Sequence, residues 1–195
     1  PFGFLARLWP EADFPTPAPT TRDGLRVLLC HIDGDGFTTP SALGRGAVSA
    51  EIVRDRILKR WSLPFTASVI EADVRALDPE ARDEDCARFE QIARTIFALP
   101  NVQPASHTFA HPFTWAPEDT GSMKGYSRWR MDLKSSCPYM RIDYQREVQG
   151  SVQYIQEHLL PQGKKVELML WSGDCRPPSQ ALATARSLGI ENMNG

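Results

Sequence analysis

The sequence predicts an α/β protein: a parallel sheet with helices outside it, open or closed into a barrel. Three observations lead there. Short apolar runs alternate with helix-period stretches in the order strand, helix, strand, helix, strand, helix, strand, helix, and such alternation builds parallel sheets. The first apolar run, Arg26 to Ile32, passes directly into Asp33-Gly34-Asp35-Gly36. A buried parallel strand ends this way, and chemistry in α/β folds collects at the carboxyl ends of strands. A later run, Val102 to Ser106, delivers a pair of histidines, His107 and His111, to what would be the same rim.

The 195 residues suffice for one domain with a sizeable core. Pro1 to Asp23 carries prolines at 10, 15, 17 and 19, which block regular structure, so it reads as a linker or extended arm. The domain proper is expected over 24–195. A first residue that is not Met suggests a piece of a longer chain. A formal net charge of −2 argues against a broad nucleic-acid surface. No run is long enough for a membrane span. Cys30, Cys86, Cys137 and Cys175 lack the spacing of a zinc finger.

The elements follow in order. Val48 to Trp61 places Val53, Ile57 and Trp61 on one helical face. Phe65 to Ile70 reads as the second strand. Cys86 to Leu99 repeats Phe89, Ile92, Ile96 and Leu99 at helical spacing, and Pro100 stops it. Val102 to Ser106 is the third strand. Thr114 to Arg141 has no clear period; it holds Trp115, Tyr126 and Trp129 among Lys124, Arg128 and Arg130. It reads as a surface loop with anchoring aromatics, or else as the wall of a substrate groove. Tyr144, Val148, Val152, Ile155 and Leu159 form the clearest apolar stripe, interrupted only by Gly150, which costs about 1 kcal/mol against Ala. Val166 to Trp171 is the fourth strand, and Ser179 to Leu188 a last helix closed by Gly189.

His107 and His111 are four residues apart, so a single helical turn would aim both imidazoles one way, ending at Pro112. With one carboxylate they make a facial set with open positions, a catalytic rather than a closed structural geometry. A divalent metal in such a set brings the pKa of water to about 7. An unligated carboxylate close by would take the proton. If the first segment stays extended, His31, Asp33 and Asp35 share a side. His31 is expected to pack, with a part as proton donor or support for the site as the alternative.

Three motifs in order resemble the NodB-like polysaccharide deacetylases of carbohydrate esterase family four. They are the acidic turn after the first strand, His107-Thr108-Phe109-Ala110-His111, and Arg176-Pro177-Pro178 after a later strand. The resemblance covers Arg26 to about Gly189. It implies a distorted, incomplete (β/α) barrel, truncated at the C-terminus. It also implies Asp33 as general base, Asp35, His107 and His111 as metal ligands, and Arg176 as the group that orients Asp33. Two departures stand out. The family has adjacent aspartates, whereas Gly34 separates this pair, and Ser179 stands where an aromatic residue commonly follows the prolines. Ser179 would still offer a backbone N–H to an oxyanion. The family's catalytic-acid histidine lies beyond the third motif, and no His follows Arg176 here.

The function so implied is metal-dependent N-deacetylation of an acetylated amino-sugar exopolysaccharide of a biofilm matrix. A His₂Asp set suits zinc, cobalt, nickel or iron, and zinc is the expected metal. The site of action is periplasmic or extracytoplasmic, alongside other exopolysaccharide biosynthesis and export proteins. Two alternatives are a non-catalytic glycan-binding or scaffold domain that keeps the motifs, and a metal-dependent barrel hydrolase of small amides.

Overall fold

The computed structural model describes residues 29–115, 133–137, 139 and 141–194. The proline-rich arm over 1–23, residues 26–28 of the first predicted strand, and Lys124, Tyr126, Arg128, Trp129 and Arg130 lie outside the described residues.

Among the described residues, five strands form one sheet: β1 (Cys30–Ile32), β2 (Phe65–Val69), β3 (Val102–Ser106), β4 (Leu168–Leu170) and β5 (Glu191–Met193). They lie side by side in chain order, and every neighbouring pair is parallel. Adding each strand beside the last, with a crossover between, is how (β/α) barrels are built. The fold is an incomplete α/β barrel, with β1 and β5 as its edges. All carboxyl ends share one rim. β2 is buried at every position, which explains why its sequence does not alternate. The sequence offers four or five strands. β5 adds a fifth, and its Glu-Asn-Met is too short and polar to show an apolar signal.

The helices are α1 (Ser49–Val53), α2 (Glu71–Val74), α3 (Asp85–Phe97), α4 over 144–159 and α5 (Ser179–Ser187). α1 continues into a widened π-type turn at Arg54–Leu58. That turn holds more residues than an α-turn, and it changes which side chain faces inward. Leu58 is buried, whereas Ile57 and Trp61, expected on the apolar face, are exposed. α3 buries Phe89, Ile92 and Ile96 as the spacing predicts. α4 buries Val148, Val152, Ile155 and Leu159. It too contains π-type turns, at Arg146–Gly150 and Ile155–Leu159.

Gly150 has a packing reason. A Cβ there would lie 2.6 Å from the Arg146 guanidinium. That guanidinium folds back to Glu71, with N–O contacts of 2.7 and 2.5 Å, and lies 3.6 Å from the centre of the Phe109 ring. Trp115 is a core anchor rather than a groove wall. It is fully buried, meets Trp171 edge-on at 5.0 Å, and donates from Nε1 to the Ser172 carbonyl at 3.0 Å. The four cysteines are unpaired thiols. Among the described residues, no helix is long and apolar enough to cross a membrane.

Candidate metal centre

β1 carries Asp33 and Asp35 to the rim. Between them Gly34 is buried against the end of β2, where an added Cβ would fall 2.8 Å from the Ile70 nitrogen. Only glycine lets the chain lie this close. Gly36 turns the backbone with φ +72°, and the Phe37 N–H donates to the Gly34 carbonyl at 3.3 Å. The Asp35 N–H donates to Asp33 Oδ1, also at 3.3 Å.

β3 carries the histidines, but not on a helical turn. Thr108 and His111 have φ of 72° and 53°, in the left-handed region that non-glycine residues rarely occupy. Pro112 explains part of this, because it disfavours right-handed helix at His111. Side chains account for the rest. The Thr108 N–H donates to Ser106 Oγ at 3.1 Å, the Phe109 and Ala110 N–H groups both donate to Glu147 Oε2 at 2.9 Å, and the His111 N–H donates to Thr108 Oγ1 at 3.2 Å. Four successive buried N–H groups thus find acceptors without helix. The two imidazole rings end 5.0 Å apart.

Asp35 Oδ1 lies 2.9 Å from His111 Nε2 and 3.8 Å from His107 Nε2. One ligand atom from each of the three residues lies within 4.8 Å of the other two. Both Nε2 atoms are buried without a hydrogen-bond partner among the described residues; the 2.9 Å contact is close but not aligned as a hydrogen bond. His107 Nδ1 sits 2.8 Å from the Leu170 carbonyl. A carbonyl only accepts, so Nδ1 carries the proton and Nε2 keeps its lone pair. Burial, and then the neighbouring His111, push the His107 pKa below the usual value, which keeps the ring neutral. Two orphaned ring nitrogens facing a carboxylate fit a divalent cation that takes nitrogen and oxygen donors, zinc among them.

The remaining predicted residues are less closely gathered. Asp33 is exposed two residues from Asp35, and its charge is felt at His107. Arg176 is exposed and forms no ion pair with Asp33 among the described residues; its own N–H donates to Asp174 Oδ1 at 3.1 Å. The expected orienting contact is therefore absent from this structure. Its loop is anchored the other way, toward the histidines. Ser172 Oγ donates to the Pro112 carbonyl at 2.9 Å, and the Asp174 N–H to the Phe113 carbonyl at 3.0 Å. Ser179 opens α5 and is exposed, so its N–H belongs to the unpaired first turn. His31 is exposed on β1 instead of packed, and among the described residues no strand pairs with the far side of β1.

Two groups near the site went unread in the sequence. Cys175, with φ 53°, lies close enough to Asp174, Asp33 and Asp35 that their charges add to burial in raising its pKa. Glu147 is fully buried, and burial pushes its carboxyl up despite the hydrogen bonds it accepts. An acidic residue directly beside the apolar stripe of α4 was the available signal for it.

The fold and site define an incomplete α/β barrel with a candidate His₂Asp metal centre on its carboxyl rim. No protein-family model matches the sequence, and no curated protein matches it. Among solved structures, the chain is similar to the BpsB deacetylase domain from Bordetella bronchiseptica, with a TM-score of 0.46 and 15% identity over 87% of this chain. The chain spans 66% of that domain's length.

Proposed function

We propose that this chain is the metal-binding part of a polysaccharide deacetylase that removes acetyl groups from an acetylated amino-sugar exopolysaccharide. The observation that carries the reading is the convergence of Asp35, His107 and His111, with a second carboxylate, Asp33, two residues away on the same turn. The three converging residues would hold zinc, or cobalt, nickel or iron. A bound divalent cation would supply a polarised acetamide carbonyl and a more acidic water. Asp33 is the general base in this reading and accepts the proton of the attacking water. The N–H of Ser179 is available for the developing oxyanion. Burial favours the neutral His107 ring and the Leu170 carbonyl fixes its tautomer, so its lone pair is ready without a proton loss. The motif variants HIDGDGF, SHTFAHPF and LWSGD resemble those of the PelA deacetylase domain. The finer proposal is therefore a Pel-type galactosamine/glucosamine polymer in the periplasm, handled with other export proteins.

One observation favours the second reading, a glycan-binding domain that keeps the motifs: Arg176 makes no pair with Asp33. One experiment separates the two. Metal content, and turnover of an aryl acetate and an N-acetylated oligosaccharide, are measured before and after chelation. Chelation-sensitive hydrolysis supports the deacetylase. Glycan binding with neither metal nor turnover supports the alternative.

A further inference from the structure

We propose that Glu147 is a positioning residue for the candidate metal site. From α4 it holds the main chain between His107 and His111 in the left-handed shape that turns both imidazoles toward Asp35. The inference rests on the metal reading above and names the device behind it. The carboxylate touches neither imidazole; it acts through backbone. One oxygen, Oε2, accepts the N–H groups of both Phe109 and Ala110 at 2.9 Å. These are the last two of the three residues that separate the histidines. One turn further along α4, Ser151 Oγ lies 2.8 Å from Ser106 Oγ, which takes the Thr108 N–H. A single helix face thus supplies, directly or through Ser106, the acceptors for three successive N–H groups.

A carboxylate buried in an apolar helix face is unfavourable unless its hydrogen bonds compensate. An aliphatic residue would pack there at less cost. Without Glu147, however, the Phe109 and Ala110 N–H groups would be buried without acceptors. Their escape is to rotate the peptide planes, which relaxes the strained φ values at Thr108 and His111 and swings the rings apart. Arg146 closes the same loop from its other side, over the Phe109 ring. Groups that orient ligands without touching the metal typically matter 10–100-fold in affinity.

The test compares Glu147→Gln, which keeps an acceptor oxygen at full reach, with Glu147→Leu and Glu147→Asp, which do not. In metal-free protein, amide hydrogen exchange at Phe109 and Ala110 should rise about 100-fold or more in the Leu and Asp variants, with Val69 and Ala105 unchanged. Zinc affinity, from competition titration, should fall about 10–100-fold in both, and the visible spectrum of bound cobalt should shift. The Gln variant should stay within about threefold of the parent and keep its spectrum. If the Leu variant does not fold, the Asp variant decides. Parent-like exchange, affinity and spectrum in a folded Asp or Leu variant would overturn the proposal. A parent protein that takes up no zinc would instead overturn the metal reading, and exchange at Phe109 and Ala110 would still decide the anchoring.

Discussion

His107 Nδ1 is tied to the Leu170 carbonyl across 2.8 Å, so the end of β4 sets the orientation of a ring at the end of β3. A ring prepared in this way should bind zinc as soon as it is offered. Zinc at 100 times its dissociation constant should add about 2.7 kcal/mol to folding stability, read as a rise in Tm. His107→Ala should remove most of that rise. An equal zinc-induced shift in the variant would take His107 out of the ligand set.

The two aspartates should separate by phenotype. Asp35→Asn should weaken zinc binding directly. Asp33→Asn should leave zinc content intact and lower turnover of an aryl acetate about 10²–10⁴-fold, the usual range for a lost general base. Zinc content and rate, measured on the same preparations, check this. Reversed phenotypes would exchange the two roles.

Arg176 makes no ion pair with Asp33, and its side chain is exposed. Arg176→Met should therefore change stability by less than about 0.5 kcal/mol. It should also leave the pH dependence of turnover where it was. A displaced acid limb in the pH profile would show that the two groups meet when substrate is present.

Glu147 gives a pH effect with a definite sign. Burial raises its pKa in the folded protein, above the unfolded value of about 4.3. The folded state therefore keeps a proton that the unfolded chain releases. Stability from this source is complete below the unfolded value and is lost as pH rises through the folded one. Glu147→Gln cannot titrate. Urea unfolding at several pH values should show the Gln variant gaining on the parent as pH rises from about 4.3. A constant difference would mean that Glu147 has the same pKa folded and unfolded. The Tyr139 hydroxyl and the Arg146 guanidinium face the same carboxyl, so their titration must be common to both proteins for the difference to be read.

Gly173 should tolerate nothing larger. A Cβ there would lie 2.4 Å from Phe113 Cα and 2.5 Å from the Pro112 carbonyl oxygen, at φ +60°. Gly173→Ala should cost more than about 2 kcal/mol, from strain and forced separation of the two loops. Denaturant unfolding measures it.

Much of this molecule could be read in the sequence because burial leaves a period. The stripe of α4 and the face of α3 are set by apolar spacing, β2 and β3 are short buried runs without alternation, and each forms close to where the sequence puts it. The misreadings have physical causes. The π-type turn after α1 changes the inward register, so Leu58 replaces Ile57. β5 is short and polar, so its sequence carries no apolar run. The histidine pair has helical spacing, yet Pro112 and three side-chain acceptors, Ser106, Glu147 and Thr108, give its loop another shape. Glu147 and Cys175 come from segments distant in sequence, and only the packing of α4 and the β4 loop brings them to the rim. An Arg176–Asp33 contact is what the resemblance implies; motif order fixes sequence but not distance, and the structure does not form that contact.

Gly34 carries a lesson about how such sites are spelled. It is pressed against the Ile70 nitrogen with no room for a side chain, so it serves as a spacer with a fixed footprint. The acids on either side are both exposed, and Asp35 is the one whose carboxylate reaches the imidazoles. A search pattern demanding two neighbouring aspartates would pass over every chain written this way. Aspartate, a residue without a side chain, then aspartate, at the close of a first parallel strand, is the spelling that would find them.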